Sequence, residues 1–202
     1  MSLLKSILII FAWGILTIIN FYFVPYFLLA LEWLLILFIF LLFAIIKTVK
    51  ISKSDENLTK SKKIQYGLIT VLFFLTIYPH PVNKVLEKID WFIFYSKRIE
   101  IVQMVKNRQL NPNVSWSKDL CELPYEFPVI SNGGNDIVIN RIDSSDHVTV
   151  TFWIFRNFFS SPSTHLIYTN NPYEIERIQN ILRRDPSNNW EIEKNWYRTF
   201  ED

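Results

Sequence analysis

Cys121 is the only cysteine in 202 residues, so the chain has no internal disulfide framework. Histidine is nearly as scarce. His80, His147 and His165 are the only three, and none has a close-spaced partner of the kind a paired-histidine zinc motif requires. A glycine-rich phosphate loop, a calcium loop and a nucleophile elbow are all missing. No cofactor and no metal is expected. The net charge is only +2, too small a surplus to indicate nucleic acid as a partner. Charge of either sign is absent from 6–31, 33–46 and 64–83.

Those uncharged, strongly apolar stretches are the most prominent feature that is present. A spanning helix needs about 20 mostly apolar residues to cross a hydrocarbon core roughly 30 Å thick. The stretch 6–46, broken only by Glu32, would be about 60 Å long as one helix, twice that thickness. The chain is therefore expected to turn back at Pro25, because proline interrupts the helical hydrogen-bond ladder. The pattern predicts a membrane protein with three N-terminal transmembrane α-helices at 6–24, 27–46 and 64–81, together a transmembrane region over 1–83. Glu32, next to Trp33, reads either as an interfacial anchor or as an intramembrane partner site.

Lysine placement sets the expected orientation. The 47–63 loop holds Lys47, Lys50, Lys53, Lys60, Lys62 and Lys63 against Asp55 and Glu56, and positive loops resist translocation. This predicts a cytoplasmic N terminus, a cytoplasmic 47–63 loop and an extracytoplasmic domain over 84–202. Lys84, Lys88, Lys97 and Arg98, near the end of the third stretch, pull the other way. The first apolar run is too long for a signal peptide and lacks a small-residue cleavage site, so an uncleaved anchor is expected. The chain's isoleucine, lysine, asparagine and phenylalanine bias suits an AT-rich genome. The expected location is a bacterial plasma membrane, crossed several times, with the lipid bilayer as one partner.

From residue 84 onward the apolar pattern becomes periodic. Phe92, Tyr95, Ile99, Val102 and Val105 form a helical stripe between Lys97, Glu100, Gln103 and Lys106, which predicts a packed helix over 91–110. Asn132, Gly133, Gly134 and Asn135 signal a turn between strands at about 126–131 and 136–142. Val148, Val150, Phe152 and Ile154 alternate with Thr149, Thr151 and Trp153, the period of a strand with one buried face. A further strand is expected at 164–169. Asn171 and Pro172 then read as an N-cap and first helical residue, opening a helix with Ile175, Ile178, Ile181 and Leu182 on its apolar face. A last strand is expected at 190–197. The fold class is a small α+β domain with a mostly antiparallel sheet, behind the three spans.

Residues with chemical potential each have an ordinary structural role. Ser160, Ser161 and Ser163 are turn formers, as are Asp143 and Asp146, which with Asp136 resemble a calcium-ligand set only loosely. Cys121 suits an apolar semi-buried position. The surplus lies in aromatics. With Val148 and its alternates facing inward, Trp153 and Phe155 fall on the opposite face, which needs cover from the protein's own helices, a membrane surface or a partner. The expected function is a membrane-anchored, non-enzymatic binding protein whose extracytoplasmic domain engages a partner protein, as an accessory subunit, sensor or immunity-type protein would. The candidate contact residues are Trp153, Phe155, Arg156, Phe158 and Trp196. The alternative is a membrane-tethered hydrolase or transferase using the 160–165 loop. A channel or transporter is disfavoured, because the apolar stretches offer scarcely any polar group to line a pathway.

Overall fold

The computed structural model describes residues 3–23, 27–52, 60–78, 80–142, 146–155 and 163–201. Four helices come first: α1 (Leu3–Phe23), α2 (Phe27–Ser52), α3 (Lys60–Ile77) and α4 (His80–Lys106). Then follow β1 (Leu120–Glu122), β2 (Asp136–Arg141), β3 (Val148–Phe155), β4 (Ser163–Thr169), α5 (Pro172–Arg184), β5 (Trp190–Glu193) and β6 (Trp196–Glu201). The chain divides into two compact units. One comprises Met1–Phe21 and Tyr26–Lys88, the other Tyr22–Pro25 and Ile89–Asp202.

The helices of the N-terminal unit correct the membrane reading. Among the described residues no single helix is long and apolar enough to cross a membrane; Ser6–Tyr22 and Leu34–Phe43 are apolar but short. Only Lys62–Ile77 and His80–Lys106 taken together, bent at the break between them, reach the required length and composition. The third expected span, 64–81, is thus divided, because α3 ends at Ile77 and α4 starts at His80 with Pro81 in its first turn, where proline's missing N–H costs no helical bond. An uncharged run reports only that charge is missing; it does not report an unbroken helix. The three transmembrane helices, the multi-pass plasma-membrane location and the orientation built on them are therefore not supported. The Pro25 turn and residues 53–59 of the lysine loop lie outside the described residues, as do the side chains of Glu32 and Trp33.

Within this unit α1 and α3 are joined by a polar contact. The Trp13 indole Nε1 donates to Thr76 Oγ1 at 2.9 Å. Thr76 Oγ1 in turn donates to the Leu72 carbonyl at 2.7 Å, and Thr17 Oγ1 to that of Trp13 at 2.8 Å. Both hydroxyls are buried and satisfied by the preceding turn, as buried polar groups must be. Ile69 and Leu72 are buried beside them, while Phe11, Leu34, Phe38 and Phe74 are exposed.

The C-terminal unit is an α+β arrangement: an antiparallel six-stranded sheet in the order β1-β2-β3-β4-β6-β5, with a helix on each face. β3 follows its alternating pattern, burying Val148, Val150, Phe152 and Ile154. The register sets Ile137 and Ile139 of β2 opposite Phe152 and Val150, and Leu166 and Tyr168 of β4 opposite the same two residues. α4 covers this face with Ile101, Val102 and Val105. Trp91 meets Trp196 edge-on at 5.1 Å, and Trp196 stacks on Phe152 at 5.9 Å. α5 covers part of the other face through Ile178, packed with Ile167 and Tyr197. The α5 start is read correctly from sequence: the Asn171 side chain accepts from the Tyr173 N–H and Pro172 follows it.

Two strand expectations need correction. No strand forms at 126–131, because the Asn135 carboxamide takes over that segment's backbone groups. Its Oδ1 accepts from the N–H groups of Ile130 and Ser131 at 2.6 and 3.1 Å. Its Nδ2 donates to the carbonyls of Tyr125, Glu126 and Pro128 at 2.9–3.1 Å. Gly133, Gly134 and Asn135 all adopt positive φ, which glycine tolerates without steric cost. The first strand is instead β1, paired to β2. The stretch 190–197 is likewise two strands, reversed at Asn195, whose φ is 69°.

The assignment of strand faces is open to a stability test. Phe152 is fully buried and Thr151 half-buried. Phe152→Ala should lower the unfolding free energy by about 3–5 kcal/mol, and Thr151→Ala by much less. Equal denaturant midpoints for the two variants would contradict the packing.

A cationic cleft as the candidate functional site

α4 ends in a way that places cations at one edge of the sheet. The Gln109 N–H reaches back to the Met104 carbonyl at 2.8 Å and the Arg108 N–H to that of Val105 at 3.1 Å, the paired bonds of a Schellman motif. Arg108 occupies the left-handed position of this motif, with φ 59°. Glycine is the usual residue there, and an L side chain in that conformation is strained. The Asn111 Nδ2 braces the turn by donating to the Arg108 carbonyl at 3.0 Å.

Arg141, the last residue of β2, closes the helix end from the sheet side. Its Nη2 donates to the carbonyls of Val105 and Leu110 at 2.7 and 2.6 Å, and its Nη1 to Asn111 Oδ1 at 2.7 Å. A guanidinium on these carbonyls complements the negative end of the helix dipole. Arg141 Nε is buried with no hydrogen-bond partner among the described residues. Burial, and then the neighbouring charge of Arg108, hold the Arg141 guanidinium below its ordinary value.

Across the gap, Asn170 staples the β3 and β4 ends. Its Oδ1 accepts from the Val148 N–H at 2.7 Å, and its Nδ2 donates to the Asp146 carbonyl at 3.2 Å. Together these segments enclose a cleft of about 600 Å³, lined by Lys106, Arg108, Asn111, Arg141, Ile142, Asp146, Val148 and Asn170. Three of these residues are cationic and one is a carboxylate. The Lys106 ammonium sits over the Tyr168 ring at 4.7 Å. Among the described residues neither Lys106 nor the Arg108 side chain makes a hydrogen bond or ion pair. Among the described residues no serine, cysteine or histidine lines the cleft, and the cationic donors present there are of the kind that hold an anion.

Of the expected contact residues that the structure describes, Trp196 lies apart from Trp153 and Phe155. Trp196 is 1% exposed and belongs to the core. Trp153 and Phe155 are half-buried on the opposite face of the sheet, with Trp153 edge-on to His165 at 6.0 Å. Both lie toward the end of β3 remote from Val148, so they do not border the cleft. Arg156, Phe158, Ser160, Ser161 and Asp143 lie outside the described residues. Ser163, Thr164 and His165, the rest of the 160–165 loop expectation, are the opening residues of β4. Cys121 is buried, which pushes its thiol up. Sequence reasoning missed Lys106, Arg108, Arg141 and Asn170, which come from three distant parts of the chain and share no motif. The one available signal was Arg108-Gln109 following the last apolar residues of a helix without a glycine. Comparison with protein-family models, with curated proteins and with solved structures found no match.

The two arginines differ in kind, and stability measurements should separate them. Arg141→Ala removes three charged hydrogen bonds and should lower the unfolding free energy by about 1.5–3 kcal/mol or more. Arg108→Gly relieves the left-handed strain and should leave stability unchanged or raise it by up to about 1 kcal/mol. A comparable loss from both would contradict the roles assigned here.

Proposed function

We propose that the C-terminal unit acts by binding rather than catalysis, engaging a protein partner that presents an anionic group to the cationic cleft. The observation that supports this reading is that, among the described residues, Lys106, Arg108 and Arg141 line the cleft against the one carboxylate of Asp146. Like charges held together without counter-ions destabilise the free protein, and an anion from outside relieves that repulsion. Arg141 is immobilised by its backbone bonds, so part of the ordering cost of recognition is met before the partner arrives. The mixed cleft, charged on one side and apolar at Ile142 and Val148, suits a side chain or terminus rather than a flat surface.

A photo-activated cross-linker placed at Gln109, beside the cleft, tests this in cells that express the full chain. A discrete cross-linked partner should appear, and Lys106→Glu with Arg108→Glu should abolish it while the thermal midpoint is retained. In extracts its capture should weaken as salt rises from about 0.05 to 0.5 M, because exposed charge pairs are screened. His165→Ala should leave it unchanged. Capture that survives the double charge reversal would sink the reading.

A further inference from the structure

Resting on the reading of the cleft as the receptor of an anionic group, we propose that this group is a phosphomonoester: one dianionic phosphate carried on an organic hydroxyl. Among the described residues lining the cleft, three cations against the carboxylate of Asp146 leave an excess of two positive charges. A carboxylate ligand would neutralise half of that excess. A phosphomonoester carries about −1.5 to −2 at neutral pH and offers three strong acceptor oxygens.

The donors match those oxygens. The Arg108 guanidinium has five N–H groups in a planar fork suited to two-point contact with phosphate, and the Lys106 ammonium has three. Neither is engaged by another polar side chain among the described residues. Arg141 brings a positive charge but few donors, because its Nη groups are bonded to Val105, Leu110 and Asn111. It is a positioning residue that fixes the helix end from which Lys106 and Arg108 project. The strain at Arg108 is consistent with this: the chain keeps an arginine where glycine would be more stable.

The rest of the cleft narrows the ligand further. About 600 Å³ falls within the range of sites that take a whole small molecule or a side chain with its flanks, and exceeds what one phosphate fills. Asp146 repels a second phosphate, which selects a monophosphate over a polyphosphate, and can accept from a hydroxyl or ammonium on the carrier. The carrier is then either a small phosphorylated molecule or a phosphorylated hydroxyl side chain of the partner.

Calorimetric titration of the full chain at constant ionic strength tests the assignment. The probes are a phosphoserine peptide, the same peptide with glutamate in its place, and free O-phosphoserine. At least one phosphorylated probe should bind about tenfold or more tightly than the glutamate peptide, in keeping with the stronger bonds of a dianion, and inorganic phosphate should displace it. Tighter binding of the peptide than of O-phosphoserine assigns the carrier to a protein; equal binding assigns it to a small molecule. Arg108→Gly and Lys106→Gln should each weaken binding by about tenfold or more without lowering the thermal midpoint. Binding of the glutamate peptide as tight as that of both phosphorylated probes would overturn the phosphomonoester assignment and leave the binding function standing. No binding of any anionic probe would remove both, and phosphate binding that is indifferent to both variants would place the site elsewhere.

Discussion

The Asp90 carboxylate and the Arg98 guanidinium lie 2.6 Å apart with side chains 2% and 1% exposed, and the C-terminal unit is assembled around them. Taking two charges out of water costs several kcal/mol per ion, which mutual attraction offsets only when the remaining donors and acceptors are also satisfied. Here they are. Arg98 donates from Nη2 and Nε to the Ile130 carbonyl at 2.8 and 3.3 Å, and the Tyr22 hydroxyl donates to Asp90 Oδ1 at 2.8 Å. Burial pushes the Asp90 carboxyl up, while the Arg98 charge and both hydrogen bonds pull against it. The same burial raises the Tyr22 hydroxyl well above its usual range.

Three separate parts of the chain therefore converge on one pair: Tyr22, α4 and the loop organised by Asn135. Asp90 and Arg98 both lie on α4, two turns apart, and their bonds to the Ile130 carbonyl and the Tyr22 hydroxyl hold the helix in one rotation about its own axis. That rotation sets Ile101, Val102 and Val105 against the sheet and carries Lys106 over Tyr168. The cleft is a consequence, since the helix must end where β2 delivers Arg141 to receive its carbonyls. β2 has opposite character at its two ends. Asp136, with Glu122 and Glu126, borders a shallow acidic depression, and Arg141 borders the basic cleft. The short edge strand β1 pairs with β2 at the acidic end.

Local, periodic features were legible in the sequence. β3 was readable because alternation over eight residues has one interpretation on a half-buried sheet, and α5 because Asn171 and Pro172 act within their own turn. Features that depend on a distant partner were not. β1 is three residues long, too short to show a period. The Asn135 loop resembled a hairpin because its turn chemistry is the same, and only the fan of bonds from one carboxamide distinguishes it. The apolar N-terminal runs gave helices at nearly the expected places, but absence of charge carries no information about where a helix breaks. The cleft was illegible for a further reason. Its cations come from a helix end, the turn after it and the end of a strand, and sequence places Arg141 more than thirty residues from Arg108.

Denaturant unfolding of the full chain carrying Arg98→Met, Asp90→Leu or both substitutions bears most directly on this account. Each single change strands a buried charge and should cost about 3–5 kcal/mol. The double change removes both charges and should cost clearly less than the sum of the two. Single variants within about 1 kcal/mol of the parent, the range of an exposed ion pair, would contradict the claim that this pair organises the unit.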